Sequence, residues 1–141
     1  MLYFAYGSNL CVEQMRRRCP GALYLRPARL VDHRLSFSGN TETWGGGGCA
    51  TVAFAPGEVV FGAIFSMTDD CWDQLDHYEG VPWLYERSVR HVVCSEREVV
   101  RTTTYVRPAD PPTPPSERYV RHILSAYERL GFDPSPLLPY L

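Results

Sequence analysis

Tyr3-Phe4-Ala5-Tyr6-Gly7-Ser8-Asn9-Leu10 is an aromatic, apolar run that stops at a glycine and two small polar residues. A helical pattern follows directly. The stretch therefore reads as a strand entering a tight turn at the head of a helix. Gly7 lets the backbone approach a ligand closely. The turn and the first helical turn carry amide N–H groups that have no partner within the helix. Such a place suits a carboxylate or a developing oxyanion.

Working outward, residues 1–6 read as the first strand and 11–19 as a short helix, with Val12, Met15 and Cys19 at helical spacing before Pro20-Gly21. Arg16-Arg17-Arg18 reads as a solvated helix end, where cations favour the helix dipole. Residues 22–29 and 32–37 read as extended segments, and 39–48 as a loop containing Gly45 to Gly48. That glycine run reads either as a flexible rim or as a place of close backbone packing. Residues 49–55 and 59–67 read as two strands of a hairpin joined at Pro56-Gly57. Thr68 reads as the N-cap of a helix with Asp69 and Asp70 in its first turn and Cys71, Leu75 and Tyr78 on one face. Gly80 and Pro82 end it. Residues 85–93 and 98–106 read as a further strand pair, 107–115 as a proline-rich loop, and 116–130 as the strongest helix, capped by Ser116 and closed by Gly131. The tail, 133–141, reads as a segment packed on the surface. Strands outnumber helices and several are joined as hairpins. The expected class is α+β, a mixed, partly closed β-barrel with flanking helices in one domain spanning residues 1–141.

Bulk properties exclude several function classes. The 45% hydrophobic and 13% aromatic content suffices for a buried core. A net charge of −2 gives no reason to expect nucleic acid or an anionic membrane as partner. No apolar run approaches the ~20 residues of a spanning helix, and Met1-Leu2-Tyr3 enters the first strand without a basic leader. The five cysteines form no C-x-x-C and read as reduced, mostly buried thiols, so a cytoplasmic location is expected.

Glu79 stands at a helix C-terminus beside Gly80. The negative end of the dipole disfavours its charge, and burial against Trp72, Tyr78, Val81 and Trp83 would raise its pKa into the range of a general base. The alternative is a solvated glutamate. Tyr6, Tyr85, Tyr105 and Tyr119 fall near strand ends or a helix start; they read as core-edge residues or as the lining of a polar-footed pocket. Other chemistries lack their signatures. Ser8 misses the G-x-S-x-G elbow, the glycine run lacks G-K-[ST], and His33, His77, His91 and His122 show no metal-ligand spacing.

With these residues in place, the chain resembles the gamma-glutamylcyclotransferases. The resemblance rests on Tyr3 to Leu10, on Thr43-Trp44 with glycines leading to Ala50-Thr51, on Leu75-Asp76-His77-Tyr78-Glu79-Gly80-Val81, on Tyr85, and on Pro114-Pro115-Ser116 leading to Tyr119. These occur in family order along essentially the whole chain. The resemblance implies cyclisation of a gamma-glutamyl amine or amino acid to 5-oxoproline with release of the amine, without metal or organic cofactor. It implies Glu79 as catalytic base and acid. It implies that Tyr3, Phe4, Ala5, Tyr6, Gly7, Ser8, Asn9 and Leu10 hold the gamma-glutamyl group, with Tyr119, Tyr85 and Tyr105 lining the site. The implied partner is a small gamma-glutamyl molecule; a homodimer stays open. Pro82-Trp83-Leu84 and the glycine loop would shape the mouth where the leaving amine sits. Two alternatives use the same scaffold: a non-catalytic carboxylate-binding module, and a γ-amide hydrolase that uses water.

Overall fold

Five strands close into a barrel in the order β1-β3-β2-β4-β5. The computed structural model describes the backbone of residues 1–141 and every side chain except that of Glu96. The elements are β1 (Leu2–Ala5), α1 (Val12–Arg18), β2 (Leu23–Ser38), β3 (Cys49–Ser66), α2 (Asp69–Glu79), β4 (Glu86–Val93), β5 (Val99–Val106) and α3 (Glu117–Leu130). Neighbouring strands are antiparallel except β1 and β5, which pair in parallel at Tyr3 and Thr103 and close the ring. The barrel is mixed and closed, where the sequence predicts partial closure.

The expected hairpin at Pro56-Gly57 does not form. Both halves of β3 run on in one direction and pair with β2: 49–54 against 33–38, and 59–66 against 23–31. The two segments predicted between 22 and 37 are likewise a single strand, β2. Pro56-Gly57 makes a bulge in the ladder. Opposite it, Asp32 adopts φ 60° and accepts a hydrogen bond from the Gly57 amide at 2.9 Å. A proline–glycine pair suits a hairpin or a bulge equally by local preference. The long partner strand decides between them, because each half finds its ladder on β2.

Both long helices end as their sequences predict. The Thr68 side chain accepts from the Cys71 amide at 3.1 Å, and Gly80 takes a left-handed conformation with φ 65°. The Ser116 side chain accepts from the Tyr119 amide at 3.2 Å, and Gly131 closes α3 in the same way. On α2 the buried residues are Cys71, Trp72 and Leu75, whereas Tyr78 is 54% exposed, contrary to the expected face. The helix ends one residue later, and Tyr78 turns outward beneath the Arg18 guanidinium, 4.9 Å from its ring centre. The tail packs as expected: Leu137 is fully buried and the Tyr140 ring lies 4.8 Å from Phe37. All five cysteines are free, four of them buried.

β1 is deeply embedded, with Phe4 and Ala5 wholly buried. Gly62 on β3 makes room for it. A Cβ there would collide with the Phe4 ring and lie 2.5 Å from the Ala5 carbonyl. Gly57 faces open space, and only its φ of 83° disfavours a side chain. Gly62→Ala is therefore expected to cost about 2–3 kcal/mol of stability through overpacking, and Gly57→Ala about 1 kcal/mol through left-handed strain. Chemical denaturation of the two variants checks the order.

Candidate active site

The turn after β1 forms one wall of a cleft. Gly7 has φ −116° and leads into a short 3-10 turn, Ser8–Leu10. The Leu10 amide bonds the Gly7 carbonyl at 3.1 Å and the Cys11 amide bonds the Ser8 carbonyl at 3.1 Å. Amides at the head of such a turn have no partner inside it. A Cβ on Gly7 would stand 3.3 Å from the Ala50 side chain and 3.6 Å from the Tyr119 hydroxyl. The turn thus passes close to β3 and α3, and a side chain at Gly7 would press on Ala50.

The cleft is lined by Tyr3, Tyr6, Gly7, Ser8, Asn9, Ala50, Glu79, Tyr85, Tyr105 and Tyr119. Eight of the eleven residues expected to bind substrate line it. Phe4, Ala5 and Leu10 do not: the first two are sealed in the barrel and Leu10 is 2% exposed in the core. Their role in the motif is packing, which holds the neighbouring polar residues in place.

Glu79 is the last residue of α2. Its Oε1 accepts a hydrogen bond from Asn9 Nδ2 at 3.0 Å, and the same nitrogen donates to the Tyr3 hydroxyl at 3.0 Å. As a residue Glu79 keeps some solvent contact, but its carboxyl end is enclosed. Burial raises its pKa from 4.5 to about 7, with the nearby Asp76 adding to the rise, while the Arg18 charge and the Asn9 bond pull downward. The enclosure does not come from the aromatics expected to supply it. Trp83 is 92% exposed, Tyr78 points outward, and Trp72 is in the core against Tyr3. It comes from the cleft walls, brought from β1, β3, β5 and α3.

One helical turn earlier, Asp76 is tuned the opposite way. Burial pushes its pKa up, but hydrogen bonds from Arg87 (2.9 and 2.6 Å) and Tyr105 (2.6 Å), with the Arg87 charge, outweigh that and hold it low. Tyr105 therefore spends its hydroxyl on Asp76. The Ala50 peptide group gathers three other tyrosines. Its carbonyl accepts from Tyr85 and, at 3.4 Å, from Tyr6, whose hydroxyl also reaches the Tyr105 carbonyl at 2.5 Å. Its N–H donates to the Tyr119 hydroxyl at 3.2 Å. Burial, reinforced by the Glu79 charge, keeps Tyr3, Tyr6, Tyr85, Tyr105 and Tyr119 well above the ordinary phenol range. They remain protonated donors at neutral pH.

A second lobe shares Ser8, Glu79, Tyr85 and Tyr119 with the first and adds Arg18, Thr41, Thr43, Trp44, Cys49, Tyr78 and Leu84. Trp44 stacks on Tyr119 with ring centres 5.2 Å apart. The glycine loop beside it is close-packed in its second half, where a Cβ on Gly47 or Gly48 would strike the 113–116 backbone, and open at Gly45 and Gly46. Arg18, expected on a solvated helix end, is half-buried and donates to Asn9 Oδ1 at 3.0 Å. Gln14 donates to the same oxygen at 3.1 Å. Sequence reading passes over Gln14, Arg18 and Ala50. The four-residue spacing of Gln14 and Arg18 marks one helix face, but a backbone hub such as Ala50 leaves no side-chain signal.

The chain matches the AIG2-like family over residues 59–133. It is 35% identical over 135 residues to the human gamma-glutamylcyclotransferase, a span covering 92% of this chain and 71% of that protein. Identity to the mouse gamma-glutamylcyclotransferase is 36% over 136 residues, with the same coverage. A solved structure of a gamma-glutamyl cyclotransferase superposes with a TM-score of 0.89 at 30% identity, covering 99% of this chain and 85% of that one.

The raised pKa of Glu79 has a consequence for stability. Between 4.5 and about 7 the folded protein holds a proton that the unfolded chain has released. Stability from this group is complete below that window and is lost as pH rises through about 7. Glu79→Gln removes the dependence. Relative to the parent, the variant is expected to gain stability as pH rises from 5 to 8, on the order of 3 kcal/mol at most. Urea titrations at both pH values check this; a constant difference would contradict it.

Proposed function

The chain belongs to the gamma-glutamylcyclotransferase family, and from that premise we propose that it cyclises the gamma-glutamyl group of a gamma-glutamyl amine or amino acid to 5-oxoproline, releasing the amine. The observation that carries this reading is the state of Glu79, a carboxyl poised at about 7 in a cleft whose tyrosines are all held protonated.

The chemistry needs no nucleophile from the protein. The substrate's α-amine attacks its own γ-carbonyl carbon, so nucleophile and electrophile are already tethered. A cleft that holds the chain curled removes much of the remaining entropic barrier. Glu79 as carboxylate takes a proton from the attacking nitrogen. The tetrahedral intermediate then collapses, the bond to the leaving nitrogen breaks, and Glu79 returns the proton to that nitrogen. No water is consumed. A pKa near ambient pH serves both transfers, a contribution on the order of 10²–10⁴-fold. The Tyr119 hydroxyl, which accepts from the Ala50 amide, keeps its own proton to donate into the cleft. With the amides at the head of the Ser8 turn, it provides donors for the γ-oxyanion or the α-carboxylate. The second lobe is the natural place for the leaving amine.

The enclosure of Glu79 favours catalysis over a module that only binds carboxylates, for which a solvated glutamate suffices. A γ-amide hydrolase would release glutamate instead. The test is 5-oxoproline release from a panel of gamma-glutamyl compounds. Glu79→Gln is expected to fold and to lose at least about 10² in turnover, and acylating the substrate's α-amine is expected to abolish reaction. Full activity of the variant, or glutamate as product, would overturn the proposal.

A further inference from the structure

Asn9 has an amide that can present either its nitrogen or its oxygen to Glu79, and the two faces have opposite effects. A nitrogen donates to the ionised carboxylate and favours it. An oxygen accepts only from the protonated acid and favours that. We propose that Gln14 and Arg18 are positioning residues, which hold Asn9 turned so that its nitrogen faces Glu79.

The argument is one of donor and acceptor capacity. A guanidinium has no acceptor. Arg18 Nη1, 3.0 Å from Asn9, therefore requires an oxygen at that position, and the Asn9 nitrogen must take the other side, toward Glu79 and Tyr3. Gln14 reinforces the choice. It is 5% exposed, and its Nε2 is shared between Ser8 Oγ at 2.9 Å and Asn9 Oδ1 at 3.1 Å. Both of its amide hydrogens are used. Flipping Gln14 would set its oxygen against that of Asn9. Both residues lie on α1, one turn apart, so one helix face aims the amide.

The other groups around Glu79 do not replace this control. Arg18 adds a positive charge from α1, and Asp76 a negative one from its own helix. Tyr3 and Tyr6 from the first strand and its turn, Tyr85 ahead of β4, Tyr105 from β5 and Tyr119 from α3 are neutral. The thiols of Cys19 and Cys49 are raised by burial and are neutral too. Among the hydrogen bonds described, Asn9 is the one partner of the Glu79 carboxylate.

The effect on turnover rests on Glu79 being the proton carrier; the effect on Glu79 itself does not. The experiment reads both. The Glu79 carboxyl is titrated by carbon-13 NMR, assigned with Glu79→Gln, in the parent and in Gln14→Leu, which keeps the bulk and cannot donate. The midpoint is expected to rise by about one pH unit, part of the ~1–2 units that a whole charge-assisted hydrogen bond is worth, because Arg18 still holds the Asn9 oxygen. The acid limb of kcat/KM is expected to move by the same amount, so that lost activity returns at alkaline pH. A merely structural role would lower activity at every pH and leave the midpoint in place, and that result overturns the proposal. Should Gln14→Leu not fold, Gln14→Met, unbranched like glutamine and equally unable to donate, takes its place, and the same two readings apply. A shifted midpoint in a protein that releases no 5-oxoproline would retain the clamp and reject the proposed function. An unmoved midpoint with normal cyclisation would do the reverse.

Discussion

The structure depends on the placing of β1, a four-residue strand held on both sides. It pairs antiparallel with β3 along its whole length and in parallel with β5 where the barrel closes. A strand so short has little stability of its own. Its side chains are sealed inside, and Gly62 yields its side-chain volume to admit Phe4. That burial fixes where the chain leaves the barrel. The Tyr6 to Asn9 turn consequently emerges against Ala50 on one side and the end of α2 on the other. The Asn9–Glu79 bond and the approach of Gly7 to Ala50 follow from that exit point.

On α2, two carboxylates one helical turn apart have been given opposite characters. Asp76 is matched by a bidentate arginine and a phenol and stays ionised. Glu79 receives one amide hydrogen bond in an enclosed setting, so its charged form is only marginally favoured at neutral pH. A buried charge without a full set of partners is destabilising. The fold tolerates it because the carboxyl can take up a proton. The same incomplete solvation that weakens the folded state near neutral pH makes Glu79 able to accept and return a proton. Pairing it as Asp76 is paired would stabilise the protein and remove that ability.

The tyrosines divide their labour in a way that residue type alone conceals. Tyr85 uses its hydroxyl to fasten the Ala50 carbonyl, Tyr6 fastens the Tyr105 carbonyl, and Tyr105 fastens Asp76. Tyr119 accepts from the Ala50 amide and keeps a proton to offer. Trp44 stacks on Tyr119 from a loop in which Gly47 and Gly48 pack against the 113–116 segment. The loop forms a shaped wall beside the place where the amine would leave.

Local signals in the sequence determined the helices and their ends. Thr68, Gly80, Ser116 and Gly131 act through hydrogen bonds and backbone angles within a few residues of themselves. The strand–turn–helix at Tyr3 to Leu10 and the position of Glu79 beside Gly80 were legible for the same reason. Pro56-Gly57 was not, since a local preference for turning is satisfied equally by a hairpin and a bulge, and only the distant strand β2 decides between them. The burial of Glu79 was legible as a possibility but not in its source. Trp83, close by in sequence, points to solvent, Tyr78 is more than half exposed at the edge of the second lobe, and residues as distant as Tyr3 and Tyr119 provide the enclosure. Arg18 looked like a solvated helix end because sequence reports its charge and not its partner. Tertiary structure alone decided these, because pairing, enclosure and hydrogen-bond direction are relations between segments that the chain brings together only on folding.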